Sequence, residues 1–247
     1  MRLDKILASS GIGTRSEVRR LIASGAVAVN GVTICKSDSK VSLEDEITVN
    51  GKAVQGQTKL YYLLDKPDGV LTAMEDPRLA NVGDFIPASL RGKKLAPVGR
   101  LDYHTSGLLI ITNDGTLSHR LQSPKYKIAK TYLAEYKGCE WTQGDISELK
   151  EGITLTDMDE PVKLAPAVLE PLDDNKAYIT LTEGKTHEVR RIFAKYGKEV
   201  LSLRRIRLAD LVIDVNEEAQ GQLRPLTSGE IDMLRQAVGL GESDGDN

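Results

Sequence analysis

The chain has 247 residues, 40% of them hydrophobic, enough for a packed core in one large domain or two ordinary ones. Its two cysteines, Cys35 and Cys139, stand far apart without CxxC or zinc-ligand spacing, which excludes a disulfide framework and a metal knuckle and fits a reducing cytoplasm. The formal net charge of -3 argues against a nucleic-acid partner until the charges are followed along the chain.

They are sorted. Arg2, Lys5, Arg15, Arg19, Arg20 and Lys36 oppose only Asp4 and Glu17 at the amino end. An acidic stretch from Glu140 to Asp174 follows, and two basic windows flank it: Arg120 to Lys137, with Lys125, Lys127 and Lys130, and Lys185 to Arg207. Such sorting can give an acidic protein one basic face, which a nucleic acid would meet. The opening "MRLDKILASSGIG" lacks a long apolar h-region, and no run approaches the roughly 18 apolar residues of a membrane span. Neither export nor membrane insertion is expected.

In chain order, Leu3, Ile6 and Leu7 predict a first helix, and Thr14 with Glu17 has the spacing of a capping box that starts a second near Arg15. The apolar stripe of that second helix is Val18, Leu21 and Ile22, and Gly25 ends it. "AVAVNGVTI" and "EITVNGKAV" predict two small hairpins turning at Asn30-Gly31 and Asn50-Gly51. These residues, through "RLDKIL", "TRSEVRRLI" and "GAVAVNG", resemble the S4 RNA-binding domain. The resemblance implies an RNA-binding module at 1–53 that uses Arg2, Lys5, Arg15, Arg19 and Arg20, followed by a linker at 54–59.

From Leu60 the pattern is strand-rich: "LYYLLDKP", "GLLIITND", "KTYLAEYKG", "VKLAPAVLEPL" and "AYITLTEG". Helices are predicted in "SHRLQS", near "TQGDISELKEG" and in "THEVRRIFAKYG". Strands without regularly alternating helices predict an α+β domain with a mixed or antiparallel sheet over 60–238, and a disordered tail at 239–247.

Three familiar chemistries fail. "HEVRR" puts Arg191 where a zinc helix needs its second histidine, no phosphate-binding glycine loop occurs, and Ser106-Gly107 is not a nucleophile elbow. What remains is Asp102 in "VGRLDYHTSGLLIITNDG", a carboxylate on a loop that feeds a buried strand, where a reactive group finds rigid support and where a plain turn residue would also fit.

"GRLDYHTSGLLIITNDG" is similar to the catalytic motif of bacterial rRNA pseudouridine synthases, in the group that joins an S4 domain to the catalytic domain. "LLDKPDGVLT", "KTYLAEYKG" and "EGKTHEVRRIFAKYG" resemble three further blocks of that family in the same order. The resemblance implies that Asp102 is the catalytic carboxylate, Tyr132 the ring against the target uracil, and Arg190 the cation that pairs with Asp102 and favours its ionised form. Three courses fit such a carboxylate: attack on the ring, attack on the sugar, or removal of a sugar proton. Ile192 and Phe193 would floor the uracil, although their spacing equally suits plain helix packing; Arg100 would reach the backbone or the gap left by an extruded base, and Lys66 and Pro67 would be landmarks beside the site with a structural role. Arg120 and Lys130 would join the RNA-contacting set. The isomerisation involves no net redox change or hydrolysis, so no cofactor or metal is expected. His104 departs from the acidic or amide residue expected at its position.

"LSHRLQSPKYKIAKTY" and "THEVRRIF" resemble the small-subunit branch, which implies 16S rRNA or a small-subunit assembly intermediate as partner, a monomer acting in the cytoplasm, and a 23S rRNA uridine as the alternative. Two other classes compete: a non-catalytic S4-type ribosome-assembly protein, and a glycosidase that would release free uracil.

Overall fold

A computed structural model describes residues 2–41, 45–54, 59–157, 160–173, 175–214 and 219–241. The chain divides into two compact units between Lys59 and Leu60. Most of the expected linker, 55–58, lies outside the described residues, while the Val54 N–H donates to Ile47 O at 2.7 Å and so belongs to the first unit.

That unit begins with α1 (Leu3–Ser9) and α2 (Arg15–Ala23). The capping box forms: Glu17 Oε2 accepts from Thr14 N at 2.7 Å, and Thr14 Oγ1 accepts from Glu17 N at 3.4 Å. A cap of this kind stabilises a helix by about 1 kcal/mol. Val18 and Ile22 are buried against Leu3, Leu7 and Val27, each contributing about 1.5–3 kcal/mol. Strands β1 (Val27–Val29), β2 (Val32–Thr33), β3 (Ile47–Val49) and β4 (Lys52–Ala53) make an antiparallel sheet in the order β2-β1-β3-β4. Asn30 and Gly31 have φ of +49° and +79°, the successive left-handed pair of the expected type I′ turn.

The second unit contains β5 (Tyr61–Lys66), β6 (Ala96–Pro97), β7 (Ser106–Thr112), α3 (Gly115–Gln122), β8 (Lys130–Lys137) and α4 (Gln143–Glu151). There follow β9 (Thr154–Leu155), β10 (Val162–Lys163), β11 (Val168–Leu172), β12 (Lys176–Leu181), α5 (Glu188–Lys195), β13 (Glu199–Leu208), β14 (Leu211–Val212), β15 (Leu223–Pro225) and α6 (Ser228–Ala237). The main sheet runs β11-β12-β8-β13-β7-β5-β15, with β6 beside β7 and β14 beside β13. Its described pairings are antiparallel except β13 against β7, so the sheet is mixed and the class α+β, as expected.

Every residue of β7 is buried, which explains its unbroken apolar run: both faces of a central strand are covered. Leu108 and Ile110 pack with Leu63, Leu117, Leu121 and Leu234, while Leu109 and Ile111 point to the opposite face with Leu64, Val70 and Leu101. At the start of β7, Gly107 has φ +99°, and a Cβ there would lie 2.2 Å from Arg205 O. The parallel strands meet at this point because the residue has no side chain.

Four expectations change. β13, the long central strand, was not expected, because Arg204, Arg205 and Arg207 interrupt its apolar residues and make it read as a charged surface segment. α6 was also missed, although Thr227 and Glu230 form a capping box ahead of Ile231 and Leu234. "VKLAPAVLEPL" divides into β10 and β11 instead of one strand. The tail expected to be disordered from 239 is bonded at its start: Leu240 N–H donates to Arg235 O at 2.8 Å, and Arg235 Nε donates to Gly241 O at 2.9 Å. Residues 242–247 lie outside the described set.

Candidate active site

Asp102 stands on a loop whose carbonyls are taken up one after another. Leu101 O accepts from Thr72 Oγ1 at 2.6 Å, and Asp102 O accepts from Thr105 N at 3.1 Å. Tyr103 O accepts from Gly69 N at 3.0 Å and from Lys66 Nζ at 3.4 Å. His104 O accepts from Arg190 Nη2 at 2.5 Å. A loop anchored at four consecutive carbonyls has little freedom to swing, so the Asp102 side chain, 40% exposed, is presented from a fixed base.

The carboxylate borders two depressions, one of about 600 Å³ and one of about 550 Å³. Tyr132 lines the larger one, facing it from β8, together with Arg205, Lys130 and Glu188. Sheet register explains this meeting: Arg205 on β13 is level with Tyr132 on one side and with Gly107 on the other. Three adjacent strands therefore bring the Asp102 loop, a guanidinium and a tyrosine to one end of the sheet. Leu101, Leu181, Val189 and Leu203 supply apolar wall. A concave cavity that sets apolar wall beside polar and charged side chains suits a heterocycle.

The electrostatics are set by burial. It pushes the Tyr132 hydroxyl above its ordinary range, while the adjacent Arg205 guanidinium pulls the other way. Burial raises the Glu188 carboxyl to about 7, although its Oε2 accepts from Lys185 N at 2.7 Å, and the Glu183 carboxylate adds to the rise. Lys130 is lowered by burial and then by Arg205. Lys66 is fully buried and falls to about 8, with Asp68 and Asp102 opposing that fall.

Several expected placements need correction. Arg190 does not pair with Asp102: its guanidinium is taken up by two carbonyls, Nη1 donating to Val200 O at 2.9 Å and Nη2 to His104 O. Arg190 and Asp102 share the smaller depression. The ring that comes near Asp102 is that of His187, whose Nε2 lies 3.8 Å from Oδ1 and whose backbone is left-handed at φ +51°.

Ile192 and Phe193 do not floor the cavity. They are buried with Tyr136, Trp141 and Leu203 in the core under α5, and Val189, one turn earlier, reaches the cavity instead. Lys66 has no exposed surface for RNA; its ammonium holds Pro67 O at 2.9 Å and Tyr103 O. Arg120 donates to Val238 O and Gly239 O at 3.0 and 3.1 Å, where it caps α6. Lys130 is half-buried at the cavity, and Arg100 is exposed at its rim. The departing residue His104 is exposed, its Nδ1 lying 3.3 Å from Asp68 Oδ1. Arg191, which spoils the zinc motif, is paired with Asp157 at 2.7 Å.

In the amino-terminal unit, Asp4 is buried and draws in two of the expected RNA contacts, Arg2 at 2.9 Å and Arg19 at 3.3 Å. The Arg2 hydrogen bond, followed by that of Arg19, holds the Asp4 carboxyl below its usual range. Lys5, Arg15 and Arg20 are exposed.

Sequence reasoning missed Arg205, His187 and Glu188 as site residues. The available signal was a pair of arginines in the middle of "VLSLRRIRL": a charge between apolar strand residues is either buried with a purpose or excluded from the strand.

Comparison with known proteins shows the family. Residues 60–195 match the RNA pseudouridylate synthase family and residues 1–47 match the S4 domain. The chain is 38% identical to the ribosomal small subunit pseudouridine synthase A of Haemophilus influenzae, over 95% of this chain and 99% of that relative. It is also 38% identical to the ribosomal large subunit pseudouridine synthase B of Bacillus subtilis, over 98% of each. The crystal structure of a pseudouridylate synthase superposes with a TM-score of 0.67 at 36% identity, covering 95% of this chain and 99% of that one. The chain therefore belongs to the RNA pseudouridylate synthase family and is an isomerase with an amino-terminal S4 domain.

Proposed function

We propose that this enzyme converts one uridine of 16S rRNA to pseudouridine, on free RNA or on a small-subunit assembly intermediate, acting as a cytoplasmic monomer without a cofactor. The observation that carries the reading is the anchored Asp102 loop opening onto a cavity that Tyr132 also lines. Asp102 acts at the nucleoside as the catalytic carboxylate. Tyr132 packs its ring against the uracil, and its hydroxyl relays the proton that leaves C5. Arg190 acts through the loop, by holding His104 O, and Arg100 at the rim meets the RNA from which the base has been extruded. The S4 domain grips folded RNA through Lys5, Arg15 and Arg20.

The choice of 16S rRNA rests on "LSHRLQSPKYKIAKTY" and "THEVRRIF", which resemble the small-subunit branch. Equal identity to a small-subunit and a large-subunit relative keeps a 23S rRNA uridine as the second reading. Carbodiimide mapping of rRNA from cells lacking this gene tests it: loss of a single 16S mark is expected, and loss of a 23S mark with 16S intact would overturn the choice.

A further inference from the structure

Arg205 is 3% exposed. Its Nε donates to Leu108 O at 2.8 Å, and its Nη2 is buried without a hydrogen-bond partner. Its sequence neighbour Arg204 is different, since Asp65 neutralises it through a buried ion pair. Among the described residues no carboxylate lies within ion-pair distance of Arg205. Burying a guanidinium without a counter-ion is costly, and proteins retain such an arrangement where a ligand completes it. The ligand space is at hand, because Arg205 lines the larger depression between Tyr132 and the strand that follows Asp102.

We propose that Arg205 is the catalytic cation that takes up the negative charge of the uracil when it leaves the sugar, an inference that rests on reading this cavity as the uridine site. The N1–C1′ bond breaks with its electron pair staying on the base. The anion that results is spread over N1, O2 and O4. The electron demand at C1′ is met by the Asp102 carboxylate directly, or by the pair of a sugar C–H bond whose proton that carboxylate removes. The base then turns and C5 bonds C1′ with the ring's electron pair, as the Asp102–C1′ bond breaks back to a carboxylate or the sugar proton is restored; the C5 proton leaves and N1 takes one up.

Turning the ring about its N3–C6 axis exchanges N1 with C5 and O2 with O4. A fixed donor beside the ring edge therefore faces a carbonyl oxygen both before and after the turn. Arg205 is such a donor, held by Leu108 O in the cavity wall and almost wholly buried, and so preorganised for charge that develops only during reaction. A surface arginine would serve the phosphates instead.

The test compares full-length wild type, Arg205→Met and Arg205→Lys in single turnover. The RNA is ligated to carry uridine or 5-fluorouridine at the position that wild type converts. Fluorine stabilises the departing anion, so the base needs less help from the protein. Arg205→Met is expected to slow loss of the uridine by about 100- to 1000-fold while RNA affinity changes by less than about threefold. On 5-fluorouridine its deficit is expected to shrink by about fivefold or more. If Arg205→Met fails to fold, Arg205→Lys, which keeps the charge and the stem, is expected to show a smaller deficit with the same shrinkage. An equal deficit on both bases, or no deficit on uridine, would overturn the role of Arg205. Wild type that forms no pseudouridine in rRNA would instead undo the functional reading beneath it.

Discussion

The Nε2 of His187 stands 3.8 Å from Oδ1 of Asp102, with the two side chains 59% and 40% exposed. A separation this long is outside hydrogen-bond range, and water screens so open a contact. His187 thus neighbours the carboxylate without holding it. His187→Ala is expected to lower kcat/KM by less than about fivefold, and Asp102→Asn by on the order of a thousandfold or more. Tritium release from 5-tritiated uridine in rRNA measures both. A His187→Ala enzyme as inactive as Asp102→Asn would show that the histidine takes part in the chemistry.

Arg190 works through the loop. Removing it frees the carbonyls of His104 and Val200 and unties the end of the Asp102 segment. Charge-assisted hydrogen bonds to a partly exposed arginine contribute on the order of 1–2 kcal/mol. Arg190→Ala is therefore expected to reduce kcat by about ten- to a hundredfold, with a small fall in Tm and little change in RNA affinity. Arg190→Lys, whose single ammonium lacks the guanidinium fork, recovers only part of the rate. Unchanged kcat in Arg190→Ala would refute this anchoring role.

Gly107 is the point at which β7 and β13 approach. A methyl group at position 107 meets Arg205 O at 2.2 Å, in a backbone conformation that side chains rarely adopt. Gly107→Ala is expected to lower stability by about 2–4 kcal/mol, because the parallel pair must part. Thermal unfolding checks it, and a Tm within a degree of wild type would contradict the close packing.

Glu188 makes stability depend on pH. Its carboxyl is raised from 4.5 to about 7, chiefly by burial, with Glu183 adding to the rise and Lys185 opposing it. Between those values the folded chain holds a proton that the unfolded chain has released, so this contribution is complete below 4.5 and is lost as pH rises through about 7. Glu188→Gln stays neutral throughout. Its Tm relative to wild type is expected to be higher above pH 7 than near pH 4.5. Parallel Tm curves for the two proteins would show that Glu188 titrates as an ordinary carboxyl.

Much of this arrangement is legible in the sequence. Thr14 and Glu17 mark a helix start through a local rule, and Asn30-Gly31 fixes a turn through backbone freedom alone. Asp102 and Tyr132 stand out through motifs. The parts that stay hidden depend on long-range register. Whether Arg205 faces solvent or a cavity is decided by the pairing of β13 with Tyr132 on one side and Gly107 on the other, residues distant in sequence. Ile192 and Phe193 have the right chemistry for a uracil floor, but the turn at which α5 starts directs them into the core and gives Val189 their place. Arg120 has the right charge for RNA, yet α6, itself unexpected, engages it.

The same sorting applies to the S4 domain. Arg2 and Arg19 each give part of their charge to the buried Asp4, so they neutralise phosphate less fully than their number implies. Lys5, Arg15 and Arg20 are exposed cations on α1 and α2. Each phosphate that a cation no longer neutralises reduces the dependence of log affinity on log salt by about 0.7–0.9. Replacing all three with alanine is therefore expected to reduce that slope by roughly 2–3 and to weaken RNA binding most at low salt. Turnover of bound RNA should change little, because Asp102 and its cavity lie in the other unit. Filter binding across a salt series gives the slope, and single-turnover tritium release at saturating enzyme gives the chemistry. A slope equal to that of wild type would move the RNA-binding face away from these three residues and back toward Arg2 and Arg19, where breaking the Asp4 pairs would have to precede phosphate binding.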